Sequence, residues 1–386
     1  MNSRERLMAT LTGQPVDRPA VSFYEIGGLA MDGNDPDPFN VYNDPSWQPL
    51  LDLAEQQTDL IRMRSAVRAN SHESWSVKDD ADSARREFFT IKTIEDEKHR
   101  WVHTELNVAG RTMRSVSRRD LDVDTIWMTE HLLKTKEDLE AYLQLPDEVF
   151  TETIDIAPLL KEEQILGDRG IVMVDTEDPL CAAATLFSME DFTVLAMTEK
   201  ELFHKLLEKC AKYIYARTEK VAREFPGRLW RIYGPEYACS PFLPPRLFNE
   251  YVVRYVSPMV KMIKQYGGFA RIHVHGRIND VLDMIMQMGA DGIDPIEPSP
   301  QGDARLRDVR EQYGKDLVLF GNIEISEIEL LEKDDFRRLV GQALEDGTYG
   351  DGRGFVLMPS ASPFGRKISD RTLGNYRIMV EMAQKY

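Results

Sequence analysis

Cysteine is scarce in this chain: Cys181, Cys210 and Cys239 are the only three in 386 residues. So few and so scattered, they exclude a disulfide framework and a Cys-x-x-Cys metal site. Positive charge is also in short supply, with 48 Lys and Arg against 65 Asp and Glu and a formal charge of −17. Nucleic acid and anionic membrane surfaces recruit a positive face, so neither is an expected partner. A local cationic pocket for an anionic substrate remains compatible with that balance. No run of about 18 apolar residues occurs, so no helical membrane span is expected. The charged start Met1-Asn-Ser-Arg-Glu-Arg-Leu7 has no signal-peptide core. No Gly-x-Gly-x-x-Gly follows any strand candidate, so the phosphate-binding turn of open nucleotide sheets is missing. The expectation is an acidic protein of a reducing, cytoplasmic compartment.

What the chain does have is rhythm. Apolar runs fall at Gly170–Val174, Leu229–Tyr233, Phe269–Val274, Gly289–Ile293, Leu317–Gly321 and Gly354–Met358. Amphipathic segments separate them, near Pro245–Gln265, Asn279–Met288 and Asp334–Leu344, with apolar residues three and four apart. Strands alternating with helices imply βαβ units and a parallel sheet. Two earlier strand candidates, Ala20–Tyr24 and Thr58–Met63, complete a set of eight. A helix over Ser3–Leu11 precedes them, residues 33–48 read as a loop, and residues 85–120 read as a small hairpin insertion. The predicted fold is one α/β domain over 1–386, a (β/α)₈ TIM barrel with an N-terminal helical elaboration.

Polar residues gather just after these strands, where a barrel builds its site. They are Tyr24 and Glu25, Asp175 and Glu177, Glu236, His273 and His275, Asp294 and Glu297, Asn322 and Glu324, and Ser360 and Ser362. Only seven histidines occur, and two close the run Phe269-Ala-Arg-Ile-His-Val-His-Gly-Arg277. Residues two apart on a strand share a face, so His273 and His275 can converge on one divalent ion. Glu236, from the preceding unit, would complete a His₂Glu set, a known catalytic zinc arrangement; Glu297 is the alternative third ligand or a general base. The plainer reading makes one histidine a satisfied core residue and the other a substrate contact. Glu236, Glu297 and Asp175 are the candidate acid/base groups. Tyr24, Glu25, Glu177, Tyr237, Arg277, Asn322 and Glu324 are candidate substrate contacts. Arg277 and Arg366 have the donor geometry to grip a carboxylate or phosphate bidentately. Cys239 has no histidine near it in sequence, and Cys210 falls on an amphipathic stripe.

Three blocks carry a family resemblance: Arg4-Glu-Arg-Leu7 through Gly13-x-x-x-Asp17-Arg-Pro19, the stretch Tyr233–Asn279, and Phe320-Gly-Asn-Ile323 with Gly354-Phe-Val-Leu-Met-Pro359. In this order they resemble the uroporphyrinogen decarboxylase superfamily, within it the cobalamin-dependent methyltransferase branch. The resemblance implies a (β/α)₈ barrel with helices over its mouth. It also implies a divalent metal such as zinc and a corrinoid carried by a separate partner protein, since no Asp-x-His-x-x-Gly motif is present. The zinc methyltransferases of the superfamily use His-x-Cys and a later Cys. Here those positions read His273, His275 and Ala361, so a soft thiolate site becomes a harder nitrogen and oxygen one. The decarboxylases carry arginines after the first strand and an aspartate after the second. Here Ser22-Phe-Tyr-Glu-Ile-Gly-Gly28 has no arginine, and Arg64 and Arg68 replace the acid.

The expected function is therefore corrinoid-linked methyl transfer to or from a small methylated substrate, a methoxy or N-methyl compound rather than a thiol. Its alternatives are a decarboxylase or other lyase acting on a small carboxylate, and a non-catalytic ligand-binding relative. The sequence leaves a homodimer open.

Overall fold

The computed structural model describes residues 1–67, 83–350 and 354–386, so Arg68 lies outside the described residues. Eight strands form one all-parallel curled sheet: β1 (Ala20–Val21), β2 (Leu60–Arg64), β7 (Gly170–Glu177), β8 (Leu229–Tyr233), β9 (Phe269–Val274), β10 (Gly292–Pro295), β11 (Val318–Ile323) and β12 (Phe355–Pro359). Their order is β1-β12-β11-β10-β9-β8-β7-β2. Near-continuous apolar strands of this kind are buried on both faces, with helices covering the outside. The long helix Lys200–Glu224 turns Leu206, Leu207, Cys210 and Ile214 into that outer layer.

No ladder joins the two edge strands, yet a charge cluster ties them. The Asp59 N–H donates to the Val21 carbonyl at 2.7 Å, and the Asp59 carboxylate accepts from Val21 N at 3.0 Å. The same fully buried carboxylate receives Arg6 at 2.6 Å and Arg18 at 2.9 Å, while Arg6 also binds Asp17. The charged entry pattern between Arg4 and Pro19 is thus structural: it fastens the N-terminal helix Ser3–Thr12 and strand β1 to the start of β2.

Three sequence expectations shift. The proposed hairpin at 85–120 is a four-stranded antiparallel sheet: β3 (Phe89–Glu95), β4 (His99–Val108), β5 (Arg111–Asp120) and β6 (Ile126–Glu130). The return into β6 runs through Leu121-Asp-Val-Asp-Thr125, which has no Gly or Pro to mark a turn. Between β4 and β5, Ala109 and Gly110 both take positive φ, 51° and 74°, the geometry that matches hairpin twist. The strand expected at Gly289–Ile293 begins three residues later, because Gly289 at φ 82° closes the preceding helix. The helix expected over Pro245–Gln265 is interrupted by a wide π turn at Asn249–Val253, which ends five residues before Pro258, a residue with no N–H to donate.

Inside the sheet, Ile61, Ile171, Leu229, Val318 and Val356 form an apolar floor, with Met63, Met173, Phe320 and Met358 above them. Two arginines rise from this floor. Arg271 lies 3.8 Å from the sulfurs of both Met173 and Met358, and Arg231 lies 3.9 Å from that of Met63. The histidines and the carboxylates that bond them sit above that layer, at the carboxyl ends of β9 and β10.

Candidate active site

Strand period brings Arg271, His273 and His275 to one face of β9. Register places Asp294 of β10 directly beside His273. The Asp294 carboxylate, with no exposure, takes a two-pronged bond from Arg271 and lies 2.7 Å from Nδ1 of His273. Burial would raise the Asp294 pKa, but Arg271 and His273 outweigh it and hold the carboxyl well below the usual range. Burial and the nearby Arg231 lower His273 to about 3, so its imidazole is neutral. A neutral ring that donates Nδ1–H to Asp294 carries its lone pair on Nε2.

His275 repeats the arrangement one step outward. Its Nδ1 lies 2.7 Å from Glu297, whose other oxygen accepts from Gly276 N at 2.7 Å. Burial opposes the charged ring, but Glu297 wins and the His275 pKa rises above its ordinary value. The two rings stand 4.6 Å apart, edge to face, and Tyr24 stacks on His273 at 5.8 Å. Tyr24 has φ 57° and Ile296 has φ 60°. Left-handed backbone is costly for such residues and clusters at functional sites.

On the neighbouring strands β8 and β7, Asp175 binds Arg231 at 2.9 Å, and the Arg231 guanidinium lies over the rings of Tyr24 and Tyr233. Glu177 binds Arg217 at 2.7 Å. Glu236 accepts from Gly234 N at 3.1 Å, and burial raises its pKa. Glu25 accepts from both the backbone N–H and the hydroxyl of Ser362. Glu324 accepts from Ser360 at 3.1 Å; its Oε1 is buried without a partner, and burial raises its pKa to about 7. The Asn322 amide donates to the Ile296 carbonyl at 3.3 Å.

Other candidates lie apart. Arg277 is exposed, and its backbone bridges to Ser240. Tyr237, by contrast, stays beside Cys181, Glu236 and Asp178, half-buried and edge-on against Phe192. Arg366 spends its donors on the Leu121 and Asn40 carbonyls and the Asn43 side chain, so it ties the small sheet down rather than facing a substrate. Cys210 and Cys239 are buried free thiols, both raised by burial. A separate pocket of about 320 Å³ lies beside β2, where Arg62 and Arg64 are matched by Glu55 and Glu162.

The sequence reading missed Arg231, Arg271 and Asp178 as members of this region. A signal existed for Arg271, which lies two residues before His273 and so shares its face. Nothing comparable marked Asp178.

A ligand set for a metal is only part-formed. Among the described residues no three His, Cys, Asp or Glu side chains are gathered to hold an ion. Asp294 and Glu297 stand behind the histidines at Nδ1, and no described hydrogen bond uses either Nε2. Carboxylate-held imidazoles of this kind are characteristic of metal-binding histidines, so the donor chemistry fits a borderline divalent ion through two nitrogens.

Beside Glu177, enclosed Arg217 also binds Glu152 at 2.7 Å. Burial outweighs that contact and raises Glu152 from 4.5 to about 7. The folded chain then holds a proton that the unfolded chain has released. Unfolding free energy should therefore fall as pH rises from about 4.5 to 7, by up to about 3 kcal/mol. Urea titrations at pH 5 and pH 8 should show this drop in the native chain and a smaller one in Glu152→Gln; equal drops would refute the assignment.

A curled sheet of eight parallel strands, with ionisable groups converging at its carboxyl end, defines the α/β class that builds sites from strand ends. The family follows from the sequence: the profile of the uroporphyrinogen decarboxylase (URO-D) family matches residues 121–386, and the chain belongs to that family. No curated protein matches it significantly. A solved methyltransferase from Methanosarcina mazei shares the fold over 100% of this chain and 99% of its own, at 14% identity and a TM-score of 0.58. A D-psicose 3-epimerase from Clostridium cellulolyticum H10, solved with D-tagatose, aligns over 60% of this chain and 94% of its own, at 12% identity. Its TM-score of 0.34 is too low to carry an argument. No described helix is long and apolar enough to cross a membrane.

Proposed function

We propose that this chain is a methyl-transfer enzyme of the URO-D family, its eight strands closing as a (β/α)₈ barrel. It takes a small methylated substrate at the strand ends and exchanges the methyl group with a corrinoid on a separate partner protein. The observation that carries this reading is the pair of imidazoles at the end of β9, each held at Nδ1 by its own carboxylate. The methyltransferase from Methanosarcina mazei with the same fold supports it. Nε2 of His273 and of His275 would hold a divalent ion such as zinc, which supplies Lewis acidity toward the substrate heteroatom.

The chain's own residues do the rest. Asp294 and Arg271 keep His273 in one tautomer, and Glu297 orients His275. Tyr24 covers the inner ring and keeps water from it. Glu324 retains a proton near neutral pH and can give it to the oxygen or nitrogen that loses its methyl group.

The test combines the purified chain, zinc, cob(I)alamin and a panel of methoxy and N-methyl compounds. The expected result is methylation of the added cob(I)alamin, followed by absorbance, with one demethylated product per methyl transferred. The half-buried Arg231, whose Nε is enclosed without a partner, favours a second reading: this guanidinium would grip a substrate carboxylate in a lyase reaction. Carbon dioxide release from small carboxylates without methyl exchange would select that reading instead.

A further inference from the structure

Charges at the mouth do not balance. Asp175 has Arg231, Glu177 has Arg217, Asp294 has Arg271, and Glu297 has His275. Asp178 and Glu236 have no such partner among the described residues. They meet across Gly234, where a Cβ would lie 2.5 Å from Asp178 Oδ1 and 2.3 Å from the Cys181 Cβ. Gly234 takes φ 116°, which only glycine adopts readily, and its N–H binds Glu236. Asp178 is fully buried; its Oδ1 accepts from Cys181 N at 2.6 Å, and its Oδ2 has no partner. A buried carboxylate oxygen without a donor or cation is costly. The wall is not sealed, since Cys181, Glu236, Tyr233 and Tyr237 are all only half-buried.

We propose that Asp178 and Glu236, with the rings of Tyr233 and Tyr237, form the subsite for a methylated ammonium group, so that the substrate is a small N-methyl cation. This rests on the methyl-transfer reading and narrows its substrate class. A methylated ammonium cannot donate enough hydrogen bonds to need a matching set of acceptors, so diffuse negative charge and aromatic faces suit it. The Tyr233 ring already carries one cation, the Arg231 guanidinium at 4.9 Å. Burial raises both carboxyls; no cation offsets it at Asp178, and at Glu236 it outweighs the pull of His275 and Arg231.

The experiment is a calorimetric titration of the full chain, without metal or corrinoid, using choline and its neutral isostere 3,3-dimethylbutan-1-ol. Choline should bind roughly tenfold tighter or better, the scale of a desolvated cation–π and charge contact. Glu236→Gln should erase that preference while leaving the alcohol's affinity unchanged. If Glu236→Gln does not fold by thermal melting, Asp178→Asn, which keeps a capping oxygen, carries the same comparison. Equal affinities, tighter binding of the alcohol, no saturable choline binding, or a preference that survives the substitution would each overturn the subsite. Because the assay needs no chemistry, a choline preference in a chain that transfers no methyl group would refute the methyl-transfer reading alone. Demethylation of neutral methoxy compounds without a choline preference would refute the subsite alone.

Discussion

Replacing His275 with Ala is expected to cut methyl transfer by about 100-fold or more. Even outer partners of a metal-binding histidine are worth about 10–100-fold in metal affinity or activity, and His275 would supply the nitrogen itself. The fold should survive, because the ring is 38% exposed and Glu297 keeps its bond to Gly276 N–H. Denaturation midpoints should therefore barely move while zinc content after dialysis falls. A zinc ion must displace the proton that Glu297 favours on His275. Zinc retention should accordingly weaken as pH falls through the raised His275 pKa, beginning at a higher pH than an unperturbed imidazole would give. An unchanged rate in His275→Ala, or full activity of a metal-free preparation, would reject the metal and leave acid/base chemistry by Asp175, Glu236 or Glu297.

The largest loss of stability is expected one layer deeper. Asp294→Ala leaves the Arg271 guanidinium, itself without exposure, unpaired among Met173, Met358 and Phe320. Breaking a buried pair by removing one partner costs about 3–5 kcal/mol, chiefly through the uncompensated charge. The double replacement Arg271→Met with Asp294→Leu should lose much less, since an apolar pair of similar volume avoids the stranded charge. Urea unfolding of the three chains decides the matter: a loss below about 1 kcal/mol in Asp294→Ala would show that the buried pair does not hold the layer. Both replacements release His273 from its fixed tautomer, so zinc content should fall in each of them whatever happens to stability.

Some of this architecture was legible before any coordinates. Strands recur because parallel, doubly covered strands must be apolar along their length, and that pattern is local. Phe269–Val274 and Leu229–Tyr233 have the same limits in sequence and in structure. His273 and His275 share a face by strand period alone, a property of the backbone that needs no neighbour. Scarcity of cysteine and of positive charge likewise acts through composition, and the expectations about partners were read from it alone.

Pairing across strands was not legible. Which carboxylate meets which imidazole depends on the register of β9 against β10, and this puts Asp294 and Glu297, rather than Glu236, behind the histidines. Arg366 looked like any other site arginine until folding brought the small sheet and the residue 38–43 loop to it. The unpaired oxygen of Asp178 is visible only once Gly234 has let two distant loops close on it. Periodicity is written residue by residue, whereas the balance of buried charge is settled between segments far apart in the chain. Sequence alone therefore determined where most strands of the parallel sheet fall and the shared face of the two histidines, and only the tertiary structure decided which charges those histidines would meet.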